Sequence, residues 1–174
     1  MVEYPIDQKV FNSTYTSIQI YRRFIDWKAS DVFSFKVNGI YVIKKKILLY
    51  SESTPLVGGS RIYIFSNKAS LYKDEKGIPN PNIYFLPEDS YFKLIGRSDF
   101  QGKNSLFFLN IPKDGYTEFY KDTSIMDALL INYATREFEV ECALPDDKKP
   151  LPEPYAHSVC PGFTYLPATS ENRE

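Results

Sequence analysis

The sequence predicts a mainly β fold, an antiparallel sandwich or a partly open barrel, with one short α-helix over about residues 124–134 and an extended, Pro-rich C-terminal arm. Three observations lead to this prediction. Tyr and Phe, which favour strands, occur 14 and 13 times, and with a single Trp they bring the aromatic share to 16%. Short apolar or alternating segments are separated by turn signals about every eight to twelve residues. A clear helical period occurs only once.

The length of 174 residues is that of one ordinary domain. We expect a β-rich domain over residues 1–144 and a Pro-rich extended tail over residues 145–174. The domain begins with an arm of about residues 1–16, in which Pro5 and Asn12 accompany several Thr and Ser. Apolar residues from Ile18 onward then mark a first strand.

A hairpin is predicted around Asn38-Gly39, which lies between the apolar segments Asp31–Val37 and Ile40–Tyr50. Asn-Gly supplies the two positive-φ residues that a type I′ turn requires. Pairing outward from this turn gives one apolar and one mixed face, as expected of a half-buried antiparallel hairpin.

Further short strands follow, each bounded by Gly, Pro, Asn or Asp. They are Arg61–Phe65, Ala69–Tyr72, Ile83–Leu86, Tyr91–Ile95, Ser105–Ile111 and Tyr116–Lys121.

The period changes after Asp122. Ile125, Leu129 and Tyr133 recur every four residues, a spacing typical of one face of a helix. We therefore predict a helix over residues 124–134, with a buried strand through Leu129–Ile131 as the alternative.

The next segment alternates apolar and acidic residues. Its apolar positions are Phe138, Val140 and Cys142, and its acidic positions are Glu137, Glu139 and Glu141. This period of two predicts a strand with a solvated acidic face. A weak calcium site that also uses Asp146 and Asp147 is the less favoured interpretation.

The tail contains six prolines between residues 145 and 174. Proline excludes helix and removes backbone donors, so we expect residues 145–168 to lie extended across a surface without regular structure. The apolar residues of the tail are the predicted partner-binding residues. They are Tyr155, Phe163, Tyr165 and Leu166.

The formal net charge of −1 does not favour nucleic acid as a partner, because non-specific binders of nucleic acid carry a basic excess. The N-terminus lacks a signal-peptide pattern, and no apolar segment approaches the roughly twenty residues of a transmembrane helix. These features predict a soluble protein located in the cytoplasm, or in a virion assembled there. The sequence leaves open whether Cys142 and Cys160 form a disulfide.

The sequence shows no catalytic set. His157, the only histidine, lies three residues before Cys160, but two ligands do not complete a metal site. The segment Gly58-Gly59-Ser60 lacks the lysine of a phosphate-binding loop and is interpreted as a turn. No catalytic, cofactor-binding or metal-ligating residue is therefore assigned, and no cofactor is predicted.

Three hypotheses for function follow. The first is a non-enzymatic structural or interaction subunit of a larger assembly, such as a virus particle, whose partners are other protein subunits or copies of itself. The second is a small-molecule-binding β-barrel or sandwich lined by aromatic residues. The third is a hydrolase that uses a pair of carboxylates, one of them with a raised pKa.

Overall fold

The structure, a computed structural model, describes residues 6–25, 28–56, 60–145 and 160–168. Strands make up 40% of these residues and helices 26%. The strands form one nine-stranded sheet that is curled into an open half-barrel. The predicted mainly β fold is thus confirmed, and the partly open barrel is the form it takes.

In chain order, the strands are β1 (Gln19–Ile25), β2 (Ile40–Ile43), β3 (Ile47–Tyr50), β4 (Ser60–Ser66), β5 (Ser70–Lys73), β6 (Pro79–Leu86), β7 (Tyr91–Phe100), β8 (Lys103–Ile111) and β9 (Phe163–Leu166). The helices are α1 (Gln8–Tyr15), α2 (Ala29–Phe33), α3 (Ser124–Ala143) and a 3₁₀ helix (Tyr116–Tyr120).

The order of strands across the sheet is β5-β6-β3-β1-β4-β8-β7-β2-β9. Neighbouring strands are antiparallel, except that β4 and β8 are parallel. Every residue of β4 is buried, because both faces of the sheet are covered at its centre.

Alternate residues of the central strands belong to two hydrophobic clusters. Ile62 and Phe108 point into a cluster that the curled sheet encloses. Tyr63 and Phe107 point to the other face, where they pack with Phe138 of α3. Stacking of Phe163 in β9 on Phe108 in β8, with ring centroids 4.6 Å apart, joins strands that β7 and β2 separate in the sheet. The sheet therefore curls around the first cluster.

The predicted hairpin at Asn38-Gly39 is wrong. A turn is present, with the backbone N–H of Gly39 donating to the carbonyl of Lys36 at 3.0 Å and Asn38 at a φ of 72°. The preceding segment forms helix α2 instead of a strand, and β2 pairs with β7 and β9. Helical spacing places Val32 in the core with Phe35 packed against it. In a strand, these two side chains would point to opposite faces of the sheet.

The predicted helix over residues 124–134 is present and continues to Ala143. It includes the segment for which an acidic-faced strand was predicted, and that prediction is wrong. Phe138 and Cys142 are buried four residues apart, a spacing that fits both periods. Val140, which the strand would bury beside them, is 53% exposed.

Both ends of the described chain contain regular structure. Helix α1 lies within the expected N-terminal arm. In the tail, the proline-free residues between Pro161 and Pro167 add strand β9, so the expected lack of regular structure is wrong at Phe163–Leu166. Residues 146–159 lie outside the described residues. The division of the chain at residue 144 stays a prediction.

The structure answers two further questions raised by the sequence. The thiols of Cys142 and Cys160 are both free. No helix within the described ranges has the length and apolar character needed to cross a bilayer.

Candidate functional site

A cleft of about 420 Å³ opens where β3 leaves β1. Strands β1 and β3 pair at one position, Arg22 with Tyr50. After Tyr50 the chain no longer pairs with β1. The cleft, termed the β1–α3 cleft, is lined by Gln19–Arg22 of β1, Ser51 and Ser53, Tyr84 of β6, and Tyr133 and Glu137 of α3. Its position is set by an interruption of the sheet.

The inner wall of this cleft is formed by Arg22, which is 4% exposed. Its Nε donates to Oε2 of Glu141 at 2.7 Å, and its Nη2 donates to Oε2 of Glu137 at 3.1 Å. Its Nη1 donates to the carbonyl of Ser51 at 2.9 Å. Arg22 thus ties β1 both to α3 and to the segment that leaves β3.

Arg61 of β4 is the second arginine in this network of charged side chains. It is fully buried and donates to Oε1 of Glu141, and it also donates to the carbonyls of Thr54 and Pro55 at 2.9 and 3.0 Å. Glu141 is therefore shared by two guanidinium groups. With Glu137 included, two positive and two negative charges balance, as groups removed from water require.

The secondary structure explains why these groups meet. Glu137 and Glu141 are four residues apart and therefore lie on one face of α3. The antiparallel pairing of Phe24 with Arg61 puts both arginines on the sheet face that α3 covers. The Arg61 guanidinium lies 4.0 Å from the centroid of the Phe24 ring, a cation–π contact.

Of the two carboxylates in the network, Glu137 is the one that lines the cleft. Its side chain is 24% exposed, whereas that of Glu141 is fully buried. Burial, followed by the charge of Glu137, raises the pKa of Tyr133. The rings of Tyr21 and Tyr84, which also line the cleft, lie 5.1 Å apart. The cleft thus offers a charged acceptor beside aromatic surfaces.

A second polar cluster lies elsewhere in the core. The ammonium of Lys93 donates to the hydroxyl of Thr123 at 2.7 Å, and this hydroxyl donates to Asp127 at 2.6 Å. Tyr15 of α1 donates to the other oxygen of Asp127 at 2.9 Å. Burial lowers the pKa of Lys93 and raises that of Asp127. The cluster joins α1, α3 and β7, so we interpret it as structural.

Three of the four predicted partner-binding residues lie on β9. Phe163 packs into the enclosed cluster, Tyr165 is 38% exposed, and the carbonyl of Leu166 accepts from the hydroxyl of Tyr120 at 2.8 Å. Tyr155 lies outside the described residues. Binding of a partner by these residues stays a prediction.

Of the Cys-His pair of the sequence, the structure describes only Cys160. His157 lies outside the described residues. Burial raises the pKa of Cys160 to about 11, with Arg23 opposing the shift. Among residues 6–25, 28–56, 60–145 and 160–168, no group of three His, Cys, Asp or Glu side chains could hold a metal ion.

The sequence did not identify the residues of the β1–α3 cleft. Glu137 and Glu141 were interpreted as part of a solvated strand face, which the structure shows to be wrong, because both lie on helix α3 and Glu141 is buried. A signal was present, because charged residues inside an apolar strand need a buried partner. Glutamates four residues apart could supply it from a helix, but the alternating pattern favoured a strand.

The sequence matches no known protein-family model and no curated protein. Solved structures of bacterial effectors and toxins resemble the fold. The type III effector XopAI from Xanthomonas axonopodis pv. citri is 9% identical, with a TM-score of 0.44 over 58% of this chain and 44% of its own. ADP-ribosyltransferase HopU1 of Pseudomonas syringae is 16% identical, with a TM-score of 0.44 over 54% and 45%.

C3stau2 from S. aureus, solved with NAD, is 10% identical, with a TM-score of 0.43 over 57% of this chain and 65% of its own. The chain spans less than half the length of the XopAI and HopU1 structures. These similarities concern the backbone fold, and they assign no activity to this chain.

The hypothesis of a non-enzymatic structural subunit, including a virion component, is contradicted: the similar structures reported above include a type III effector and an ADP-ribosyltransferase. One of the observations behind this hypothesis, the abundance of Tyr and Phe, also has a simpler explanation. Tyr63, Phe107 and Phe108 fill the interior. The aromatic content therefore reflects a sheet covered on both faces.

Proposed function

We propose that this protein binds a polar, ring-bearing small molecule in the β1–α3 cleft. The observation that carries the proposal is the partly exposed carboxylate of Glu137, which Arg22 holds in a cleft that Tyr21, Tyr84 and Tyr133 also line. Ligand sites typically combine a few fixed polar groups with aromatic walls, in volumes of about 300–1,000 Å³. The β1–α3 cleft has this size, and its lining is more polar than that of a typical site, with Tyr21, Tyr84 and Tyr133 as its aromatic residues.

The charges of the cleft narrow the class of ligand. The carboxylate of Glu137 can accept hydrogen bonds from hydroxyl or amine groups, while Arg22 is already engaged by Glu137, Glu141 and Ser51. Because the four charges of the network cancel, strongly anionic or cationic ligands gain little. A neutral ring with several hydroxyl groups, as in a nucleoside or a sugar, suits the cleft best.

The carboxylate-hydrolase hypothesis finds less support. It required two acids, one of them protonated, facing each other across a cleft. Glu137 and Glu141 both form ion pairs with Arg22, so both carboxylates are already engaged by the protein. Glu141 is also inaccessible behind Arg22. The arrangement serves binding better than paired acid–base chemistry.

Titration calorimetry with adenosine, methyl glucoside and NAD tests the proposal. NAD is included because the C3stau2 structure contains it and because it carries two ribose rings; the proposal itself rests on the cleft. We expect saturable binding of at least one compound, and Glu137→Gln should weaken it about tenfold or more, since hydrogen bonds to charged groups contribute about 1.5–3 kcal/mol.

Glu139→Gln is the matched control, because Glu139 lies on the same helix and does not line the cleft. It should bind as the unaltered protein does. Thermal unfolding of both variants separates a loss of binding from a loss of folding. Absence of saturable binding for all three compounds, or equal weakening by both substitutions, contradicts the proposal.

A further inference from the structure

A second cavity, of about 240 Å³, lies where β9 joins the sheet. It is lined by the turn after α2 (Ser34, Phe35 and Lys36), by Tyr41 of β2, and by Phe163 and Tyr165 of β9. None of these residues lines the β1–α3 cleft. An engineered cavity of about 150 Å³ holds benzene, so this cavity, termed the β9 pocket, has room for one substituted aromatic ring.

The walls of the β9 pocket are aromatic. The ring of Tyr41 lies 5.1 Å from that of Phe35 and 5.4 Å from that of Tyr165, centroid to centroid. Phe35 and Phe163 meet edge to face at 6.3 Å. Tilted and edge-to-face arrangements at these distances are the ones that aromatic rings prefer. The pocket therefore presents a continuous aromatic wall on which a further planar ring can pack.

The walls are also held in place. The pairing of β2 with β9 sets Tyr41 opposite Tyr165, and Phe163 is stacked on Phe108 of the core. A ligand entering the pocket does not have to order these side chains first, which lowers the cost of binding.

The polar groups at the rim are donors. The ammonium of Lys36 lies 5.0 Å from the centroid of the Tyr165 ring. The hydroxyl of Tyr41 accepts from the backbone N–H of Lys36 at 2.8 Å, so its own proton can be donated to a ligand. Arg97 adds a second cation nearby, because its Nη1 donates to the carbonyl of Phe35 at 3.3 Å.

We propose that the β9 pocket binds a small aromatic carboxylate. The ring of the ligand lies against the wall formed by Phe35, Tyr41 and Phe163, and its carboxylate faces the Lys36 ammonium and the Tyr41 hydroxyl. A cationic ligand is disfavoured, because Lys36 already occupies the face of Tyr165 and its charge repels a second cation. The charge of the rim thus selects an anion, and the walls select a planar ring.

The test compares three probes of nearly identical shape on the full chain. Benzoate is anionic, benzamide is neutral and benzamidine is cationic, so their relative affinities measured by ligand-observed NMR report the charge preference directly. We expect saturable benzoate binding at least fivefold tighter than that of benzamide, with benzamidine weakest. Excess adenosine should not displace benzoate, because the two cavities are separate.

Two variants locate the site. Lys36→Gln, at an exposed position, should reduce benzoate affinity to the level of benzamide, whereas Lys44→Gln, at an exposed lysine paired with Asp89, should leave it unchanged. Phe163→Leu removes a ring while keeping an apolar anchor, and should weaken all three probes alike.

Several results overturn the proposal. They are equal affinities for benzoate and benzamide, preference for benzamidine, no saturable binding, and benzoate binding that survives both Lys36→Gln and Phe163→Leu. A thermal unfolding curve for each variant confirms that the protein tested is folded. If Phe163→Leu does not fold, the probe preference and the Lys36→Gln result still decide the question.

Discussion

Glu141 has no exposed side-chain surface, and each of its carboxylate oxygens accepts from a different guanidinium, one from Arg22 and one from Arg61. Replacing it by glutamine keeps its size and removes its charge. Two arginines then share a single carboxylate in the interior. Because an uncompensated buried charge costs about 3–5 kcal/mol, we expect Glu141→Gln to lower the free energy of unfolding by that amount, measured by urea denaturation.

Glu139→Gln gives the matched comparison for this stability measurement. It changes the same residue type on the same helix, away from the arginines, and should stay within about 0.5 kcal/mol of the unaltered protein. A loss below about 1 kcal/mol for Glu141→Gln would show that the network is open to water and adds little.

The partner of a buried charge is the part that the sequence could not provide. Arg22 and Glu141 are 119 positions apart, so no local pattern connects them. The sequence shows charges inside an apolar strand and glutamates at helical spacing. The pairing of each arginine with its glutamate depends on how α3 crosses the sheet. That crossing is determined by the packing of the whole chain.

The contact between α1 and the turn before the 3₁₀ helix depends on one glycine. Gly115 has a φ of +91°, and a Cβ added there would lie 2.7 Å from a methyl group of Val10 in α1. Gly102 has a similar φ of +78° with nothing within 4 Å of an added Cβ. Gly115→Ala should therefore destabilise the protein by about 1–3 kcal/mol more than Gly102→Ala, measured by thermal unfolding.

Shortening Val10 isolates the steric part of this effect. Val10→Ala combined with Gly115→Ala should be less destabilising than the sum of the two substitutions, because the clash is removed. Equal effects of the two glycine substitutions would mean that α1 moves freely away from the turn.

At the scale of elements, local signals were predicted better than pairings and faces, and some types were wrong: the strand predicted at Tyr116–Lys121 is the 3₁₀ helix. The turn at Asn38-Gly39 is present, since its signal is local, but β2 pairs with strands that begin at Tyr91 and Phe163. Helix α3 was predicted from a stripe that includes Leu129, yet Leu129 is 78% exposed. Periodicity indicates a helix, whereas the buried face is chosen by the sheet that it meets.

The sheet is curled because strands that are far apart in the strand order contact each other. Both outer strands, β5 and β9, are short, with four residues each, which limits pairing with other chains. The parallel pair β4 and β8 lies near the centre, buried on both faces. From the sequence, this mixed topology was not predictable, because the two strands are joined through β5, β6 and β7.

Strand β9 completes the sheet from the far end of the chain, which makes its removal a test of the whole fold. It forms four residue pairs with β2 and places Phe163 against Phe35, Phe92 and Phe108. A chain ending at Pro145 loses these contacts and exposes the edge of β2. We expect its free energy of unfolding to fall by about 2–4 kcal/mol, as for loss of a core aromatic residue, measured by urea denaturation.

A synthetic peptide of residues 160–168 should restore part of this loss by adding a strand to the open edge of β2, the mode of recognition known as β-augmentation. The same peptide with Phe163→Ala should fail, because it keeps the backbone hydrogen bonds and lacks the ring that stacks on Phe108. If the shortened chain is as stable as the full chain, β9 is only laid against the sheet. If both peptides restore stability equally, backbone pairing is sufficient and the aromatic anchor is dispensable.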